Sequence, residues 1–243
     1  MRKLLVDAAR TLVPSRGDRH GPLPPLLLTL TVVTGLVDAV SYLGLGEVFV
    51  ANMTGNIVLM GFALAGAEGL SAPASVVSTA AFFTGATAGG RFGLRFASHR
   101  GRLLAAGTVL QTVLVAAVLL MAVLAPDRTG DPVRYTLIVG LGLAMGFQNA
   151  VVRRLGVPDL TTTVLTQTLT GIAADSEPGG GAGPGRARRI LSVLAMLLGA
   201  LAGGAMLVHV DLILALGVAL ALIAAVSATA GLLASKGGEW AEA

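Results

Sequence analysis

The chain has 243 residues, 54% of them hydrophobic and 12% charged, with a mean hydropathy of +0.82. So little charge cannot cover a soluble domain of this size, and continuous rather than alternating apolar runs exclude a closed β-barrel, which leaves an all-α polytopic membrane protein. The net charge of +4 sits in short basic clusters between apolar runs; positive-inside topology accounts for it, and no nucleic-acid partner is implied.

Residues 1–22 form a basic arm. Its charged part is long, and the apolar run after it reaches spanning length without a small-residue cleavage motif, so it does not read as a secretory signal. Leu4, Leu5, Ala8 and Leu12 have helical spacing, which fits either a short helix on the membrane surface or a solvated arm. Eight apolar runs follow: 26–45, 48–67, 73–95, 103–125, 135–152, 157–174, 190–209 and 211–234. Each approaches the roughly 20 residues needed to cross a bilayer as a helix. Pro22, Pro24 and Pro25 suit the start of the first. The joint "PDRTGDPVR" (126–134) is short, "DSEPGGGAGPGRARR" (175–189) reads as a flexible connector, and 236–243 is a tail.

Charge orders these runs. Arg2, Lys3, Arg10, Arg16 and Arg19 place the N-terminus in the cytoplasm, and Arg91, Arg95, Arg100 and Arg102 do the same for the joint between the third and fourth runs. Three full crossings between those clusters would put the second one outside. The run that should not cross is the second, where "VFVANMTGNIV" (48–58) sets two asparagines, a threonine and a glycine among apolar residues. Polar irregular backbone at membrane depth survives only where protein or water surrounds it. The sixth run, with "DLTTTVLTQTLTG" (159–171), is the least hydrophobic and lies between Arg153–Arg154 and Arg186, Arg188 and Arg189. If both runs enter and return, six helices cross and the basic clusters share one side. Eight full spans fit run length better but break the charge rule at 91–102.

The two suspect runs occupy matching places. "TGLVDAVSYLGLGEVFVANMTGN" (34–56) aligns with "MGFQNAVVRRLGVPDLTTTVLTQT" (145–168) with one inserted residue, pairing Gly35 with Gly146, Asp38 with Asn149, Ala39 with Ala150 and Thr54 with Thr166. Farther on, "GATAGG" (85–90) matches "GALAGG" (199–204). The expectation is two homologous halves, 23–126 and 132–235, within one membrane domain. Three spans per half is an odd number, which inverts one half relative to the other and sends the two segments in from opposite faces, as in many transporters. Eight spans would make the repeats parallel.

Asp38 is the acidic residue well inside a spanning run, where an aspartate costs about 2.5–3.5 kcal/mol on insertion. It reads as a proton- or cation-linked carboxylate, as an acceptor for a solute, or as a structural acid bonded to amides of the broken segment. Asn52, Thr54, Gly55 and Asn56 in the first segment, and Thr161, Thr162, Thr163, Thr166, Gln167 and Thr168 in the second, suit a polar solute or a partly dehydrated ion. Equally, they suit hydrogen bonds between helices. Gln148 and Asn149 are intramembrane amides beside Arg153 and Arg154, which anchor a helix end. Gly85-x-x-x-Gly89 and Gly199-x-x-x-Gly203 allow close packing between the halves or between protomers of a homo-oligomer. His20, His99 and His209 lie far apart near run ends and read as solvated, and cysteine is absent, so no metal site is expected. No G-x-x-x-x-G-K-[ST], H-E-x-x-H or G-x-S-x-G motif occurs, and intramembrane carboxylates are too few for an acid–base pair. The chain does not read as an enzyme, and no cofactor is implied.

Together, "VFVANMTGNIVLMG" and "GFQNAVVRRLGVPDLTTTVLT" resemble the YoaK-like family of bacterial membrane proteins of unknown function, over roughly residues 25–235. The resemblance implies a multi-pass protein of the bacterial cytoplasmic membrane with about six spans, and it carries over no catalytic residue. Relatives often read Thr-Gly-Thr where this chain has Thr166-Gln167-Thr168, so the second segment lacks that glycine break. The functional expectation is a secondary transporter or channel for a small polar solute or ion. In it Asp38 is the coupling or gating acid, and Asn52, Thr54, Asn56 and Asn149 line the path. The alternative is a structural or regulatory membrane protein acting through a partner.

Overall fold

A computed structural model describes residues 2–14, 18–96, 98–125, 130–160, 162–163, 165–174, 185–237 and 239–241. Thr161, Arg16, the joint at 126–129 and the connector at 175–184 lie outside the described residues. Among those described there are nine α-helices: α1 (Arg2–Leu12), α2 (Leu23–Gly44), α3 (Met53–Leu64), α4 (Ala72–Leu94), α5 (Arg100–Leu124), α6 (Asp131–Leu155), α7 (Leu165–Ala174), α8 (Arg186–His209) and α9 (Leu212–Ser235). Five of them, α2, α5, α6, α8 and α9, are long and apolar enough to cross a membrane. At 23 residues, α4 matches them in length. A rise of 1.5 Å per residue makes such helices about 33–37 Å long, against a hydrocarbon core of about 30 Å. With 12 and 10 residues, α3 and α7 reach only about 18 and 15 Å and cannot cross alone.

Four helix starts, those of α2, α5, α6 and α8, fall three or four residues earlier than the apolar runs suggest. Pro132 sits in the first turn of α6, where a missing amide costs nothing, and Arg186, Arg188 and Arg189 form the first turn of α8 rather than part of a linker. Charge ends a hydropathic run without ending a helix. Two histidines expected to be solvated also hold helix ends. His99 caps α5 by accepting from the Arg102 amide at 3.1 Å, and His20 takes a hydrogen bond from Arg100.

Helix α4 packs on α6, α2 on α8, and α5 on α9. Glycine sets the first two pairings. Gly85 and Gly89 lie on the main chain of Leu143 and Phe147; a Cβ on Gly89 would stand 2.7 Å from the Phe147 carbonyl oxygen. Gly146 faces the Phe82 carbonyl in return. In the other pair Gly199 and Gly203 lie on Val32 and Leu36, and Gly35 faces the Met196 carbonyl. Lipid gives apolar helices no reason to associate, so this backbone-to-backbone approach is their main source of attraction. Both glycine pairs act within one chain.

The helix ends gather into two groups. At the basic end, Arg100 donates from Nε and Nη2 to the Leu155 carbonyl at 3.0 and 2.6 Å, closing the C-terminus of α6. Trp240 packs against Gly21 and Gly101 there, and Arg154 against Gly93. At the opposite end, Arg134 lies against Gly46, and Leu207 and Leu212 against Gly44. The stretch between α2 and α4 leaves and returns to this second end, because Gly69 sits beside the Glu47 carboxylate. At the basic end Asp159, just beyond α6, holds Arg189 Nε in the first turn of α8 at 2.7 Å.

The glycine contacts predict a sharp contrast. Gly146→Ala and Gly199→Ala force a methyl into a neighbouring carbonyl and should lower detergent melting temperature by the equivalent of about 1–3 kcal/mol. Gly217 faces open space, so Gly217→Ala should leave melting unchanged or raise it.

The His20 contact predicts a pH effect. Arginine has only donors, so Nδ1 of His20 must accept its 3.3 Å bond from Arg100 Nη2, which requires the neutral ring. Burial first, then Arg100 and Arg188, hold the imidazole below its ordinary 6.5; Asp18 opposes this and Arg19 adds to it. The unfolded chain therefore binds that proton more readily. The contribution is complete above the unfolded value and is lost as pH falls through it. His20→Gln, which can still accept from Arg100, should flatten the acid limb of melting temperature against pH between about 5 and 7.

Candidate functional site

The first segment is built from side chains that replace missing helical partners. Beyond α2 the chain turns through Gly46 and Glu47, with φ of 94° and 54°, and runs irregularly to Asn52. The Glu47 amide still reaches the Tyr42 carbonyl of α2 at 3.0 Å, but the amides of Phe49, Val50 and Ala51 are taken by side chains. Asp38 Oδ1 accepts from the amides of Val50 at 3.1 Å and Ala51 at 2.8 Å. Asn56 grips Phe49 on both sides: Oδ1 accepts from its amide at 2.8 Å, and Nδ2 donates to its carbonyl at 2.6 Å. Ser78 Oγ, from α4, donates to that carbonyl as well, at 2.6 Å. Asn52 caps α3 by accepting from the Gly55 amide at 3.3 Å. Gly55 is required because a Cβ there would stand 2.7 Å from the Phe49 ring, which is stacked on Tyr42. Asp38 is 4% exposed and Asn56 fully buried, and Asp38 Oδ2 is buried with no hydrogen-bond partner. Thr54 is exposed on the first turn of α3, outside this cradle.

The second segment solves the same problem differently. Asn149 Oδ1 accepts from the hydroxyls of Thr163 at 2.7 Å and Thr162 at 3.5 Å, while Nδ2 donates to the Met145 carbonyl at 2.9 Å. In the alignment Thr162 and Thr163 match Val50 and Ala51, the residues whose amides bind Asp38. A carboxylate that holds backbone is thus replaced by an amide that holds hydroxyls. Asp159, at the place of Glu47, shares its left-handed backbone, with φ of 64°. Thr168, at the place of Asn56, is buried; Thr166 and Gln167 are exposed on α7.

Between these segments lies a buried polar bridge. Gln111 Nε2 donates to Gln148 Oε1 at 2.6 Å, and Gln148 Nε2 donates to Thr34 Oγ1 at 3.0 Å. Thr34 is one turn from Asp38 on α2, and Gln148 is next to Asn149 on α6. The hydrogen bond between them joins the two helices that carry the segments' anchors. Asp38 and Asn149 do not share a pocket, since one lies near the far end of α2 and the other near the basic end of α6. Gln111 and Ser78 escaped the sequence reading, although a lone amide midway along the run 103–125 was the signal for the first. Among the described residues no group of three or more His, Asp or Glu could hold a metal.

A family model described as "Protein of unknown function (DUF1275)" matches residues 26–229, a range that includes both segments and the bridge. The chain belongs to DUF1275. It is also similar to the UPF0700 transmembrane protein YoaK of Bacillus subtilis (strain 168), with 34% identity over 152 residues, 62% of this chain and 65% of that relative. No solved structure matches. The name of the relative and the long apolar helices of this DUF1275 chain agree on a multi-pass membrane protein.

The cradle yields a stability prediction. Asp38→Asn keeps an oxygen for the Val50 and Ala51 amides and should melt near the parent. Asp38→Leu orphans both, at about 1–3 kcal/mol each, and should melt well below it. Equal melting of the two variants in detergent would remove Asp38 from this structural role.

Proposed function

We propose that this DUF1275 protein is a secondary transporter or channel for a small polar solute or ion, and not an enzyme. In this reading 23–126 and 132–235 are homologous, inverted halves. The helices α2, α4, α5, α6, α8 and α9 cross the bacterial cytoplasmic membrane, the basic end and the N-terminus are cytoplasmic, and the runs 48–67 and 157–174 re-enter from opposite faces. Matched contacts support the pairing of halves: Gly35 and Gly146 meet equivalent carbonyls, as do Gly85 and Gly199. The observation that carries the functional reading is the buried hydrogen bond from Gln148 Nε2 to Thr34 Oγ1, which joins α2 and α6, the helices that carry Asp38 and Asn149. Fully apolar packing would close that contact more cheaply, since each buried polar group must be partnered.

Asp38 Oδ2 is the atom left to take a proton or a monovalent cation, and in this reading the solute exchanges with the hydrogen bonds that Thr162 and Thr163 give to Asn149. Asn149 does not titrate, so of the two anchors Asp38 is the one that can carry a coupled charge. A second reading has its own support. Asn52, Asn56 and Asp38 Oδ1 all bind their own segment's backbone, which a non-transporting protein acting through a partner would also need.

In proteoliposomes, Asp38→Asn should abolish ion-coupled flux by about tenfold or more while remaining assembled. Solute flux unchanged in rate and ion dependence would contradict the assignment. Topology has its own check, since the chain has no cysteine. Cysteines introduced at 47 and 69 should label from one side, and those at 99 and 156 from the other; labelling of 47 and 69 from opposite sides would overturn the re-entrant arrangement.

A further inference from the structure

The outer face of α4 carries chemistry that the polar bridge does not use. Phe83, Thr84, Thr87, Ala88 and Arg91 line an open groove of about 360 Å³. Residues 84, 88, 91 and 95 follow helical spacing, so Arg95 stands one turn beyond Arg91 at the head of the groove. Both arginines are exposed, and neither takes part in the ion pairs found among the described residues, Arg134–Asp131 and Arg189–Asp159. They stand at the basic end of the bundle, where Arg154 packs on Gly93.

From that end the groove runs inward. Arg91 comes first, the hydroxyls of Thr87 and Thr84 lie one and two turns deeper, and Phe83, 64% exposed, is about 12 Å below Arg91. Cation, hydroxyls and aromatic ring succeed one another in the order of a phospholipid's phosphate, ester region and acyl chain. The matching face of α8, 114 residues on, is Leu197, Leu198, Leu201, Ala202 and Ala205. That face is wholly apolar, so the charged groove belongs to α4 and not to the fold in general.

We propose that this groove binds an anionic phospholipid, with its phosphate held by Arg91 and Arg95 and one acyl chain along Phe83. The proposal does not depend on the transport reading. It is tested by native mass spectrometry of the full-length detergent-purified protein with phosphatidylglycerol, phosphatidylcholine and soluble glycerol phosphate. Phosphatidylglycerol should be retained about tenfold more than phosphatidylcholine, and Arg91→Gln with Arg95→Gln should erase that preference. Arg186→Gln with Arg188→Gln, which removes the same charge elsewhere at the basic end, should keep it. Equal loss in both double variants, no loss in the first, or equally strong binding of glycerol phosphate would overturn the lipid site. Phe83→Trp reads the same groove without altering charge. Phosphatidylglycerol brominated on its acyl chains should quench the added fluorescence more than brominated phosphatidylcholine, and equal quenching would count against the site.

Discussion

A backbone amide in hydrocarbon must find its partner within the protein, and each one that fails costs several kcal/mol. An unbroken helix meets this demand by itself. This chain leaves helical geometry between α2 and α3, so it must bring acceptors and donors from elsewhere. Three elements supply them: Asp38 from the helix before the break, Asn56 from the helix after it, and Ser78 from α4. A charged residue in a membrane helix, a fully buried asparagine and a buried serine are thereby one structural fact. The position of α3 against α4 follows from it.

Glycine contacts fix two of the helix pairs. With Gly85 and Gly89 on the main chain of α6, and Gly199 and Gly203 on that of α2, neither pair can slide without driving a side chain into backbone. The hydrogen bond from Gln148 to Thr34, which Gln111 extends, then ties one pair to the other. Close packing and buried polarity support each other. The glycines hold the helices within each pair, and the buried hydrogen bond holds the pairs together.

Much of this was legible in the sequence, and the exceptions have physical causes. Run lengths located the long helices, and "ANMTGN" marked a place where a continuous helix was implausible. The glycine motifs were visible, but their partners Gly35 and Gly146 are single glycines whose role exists only in the packed pair. Asp38 could be read as a solute-binding or a structural acid, because nothing in a linear chain says which backbone groups will lack partners. Asn56 and Asn52 turned out to face their own segment, and Thr54 and Thr166 stand on exposed faces. Identity of type did not reveal direction. Gln111 was overlooked because one amide in an apolar run leaves no periodic pattern.

The account rests on an irregular segment whose backbone is held by buried side chains. Amide hydrogen exchange in lipid nanodiscs tests this most directly, by following peptides that cover residues 48–52 in the parent and in Asp38→Ala. Strong protection in the parent, lost over this stretch alone in the variant while α6 stays protected, is the result expected. Exchange in the parent as fast as in a solvated loop, or protection unmoved by the substitution, would contradict it.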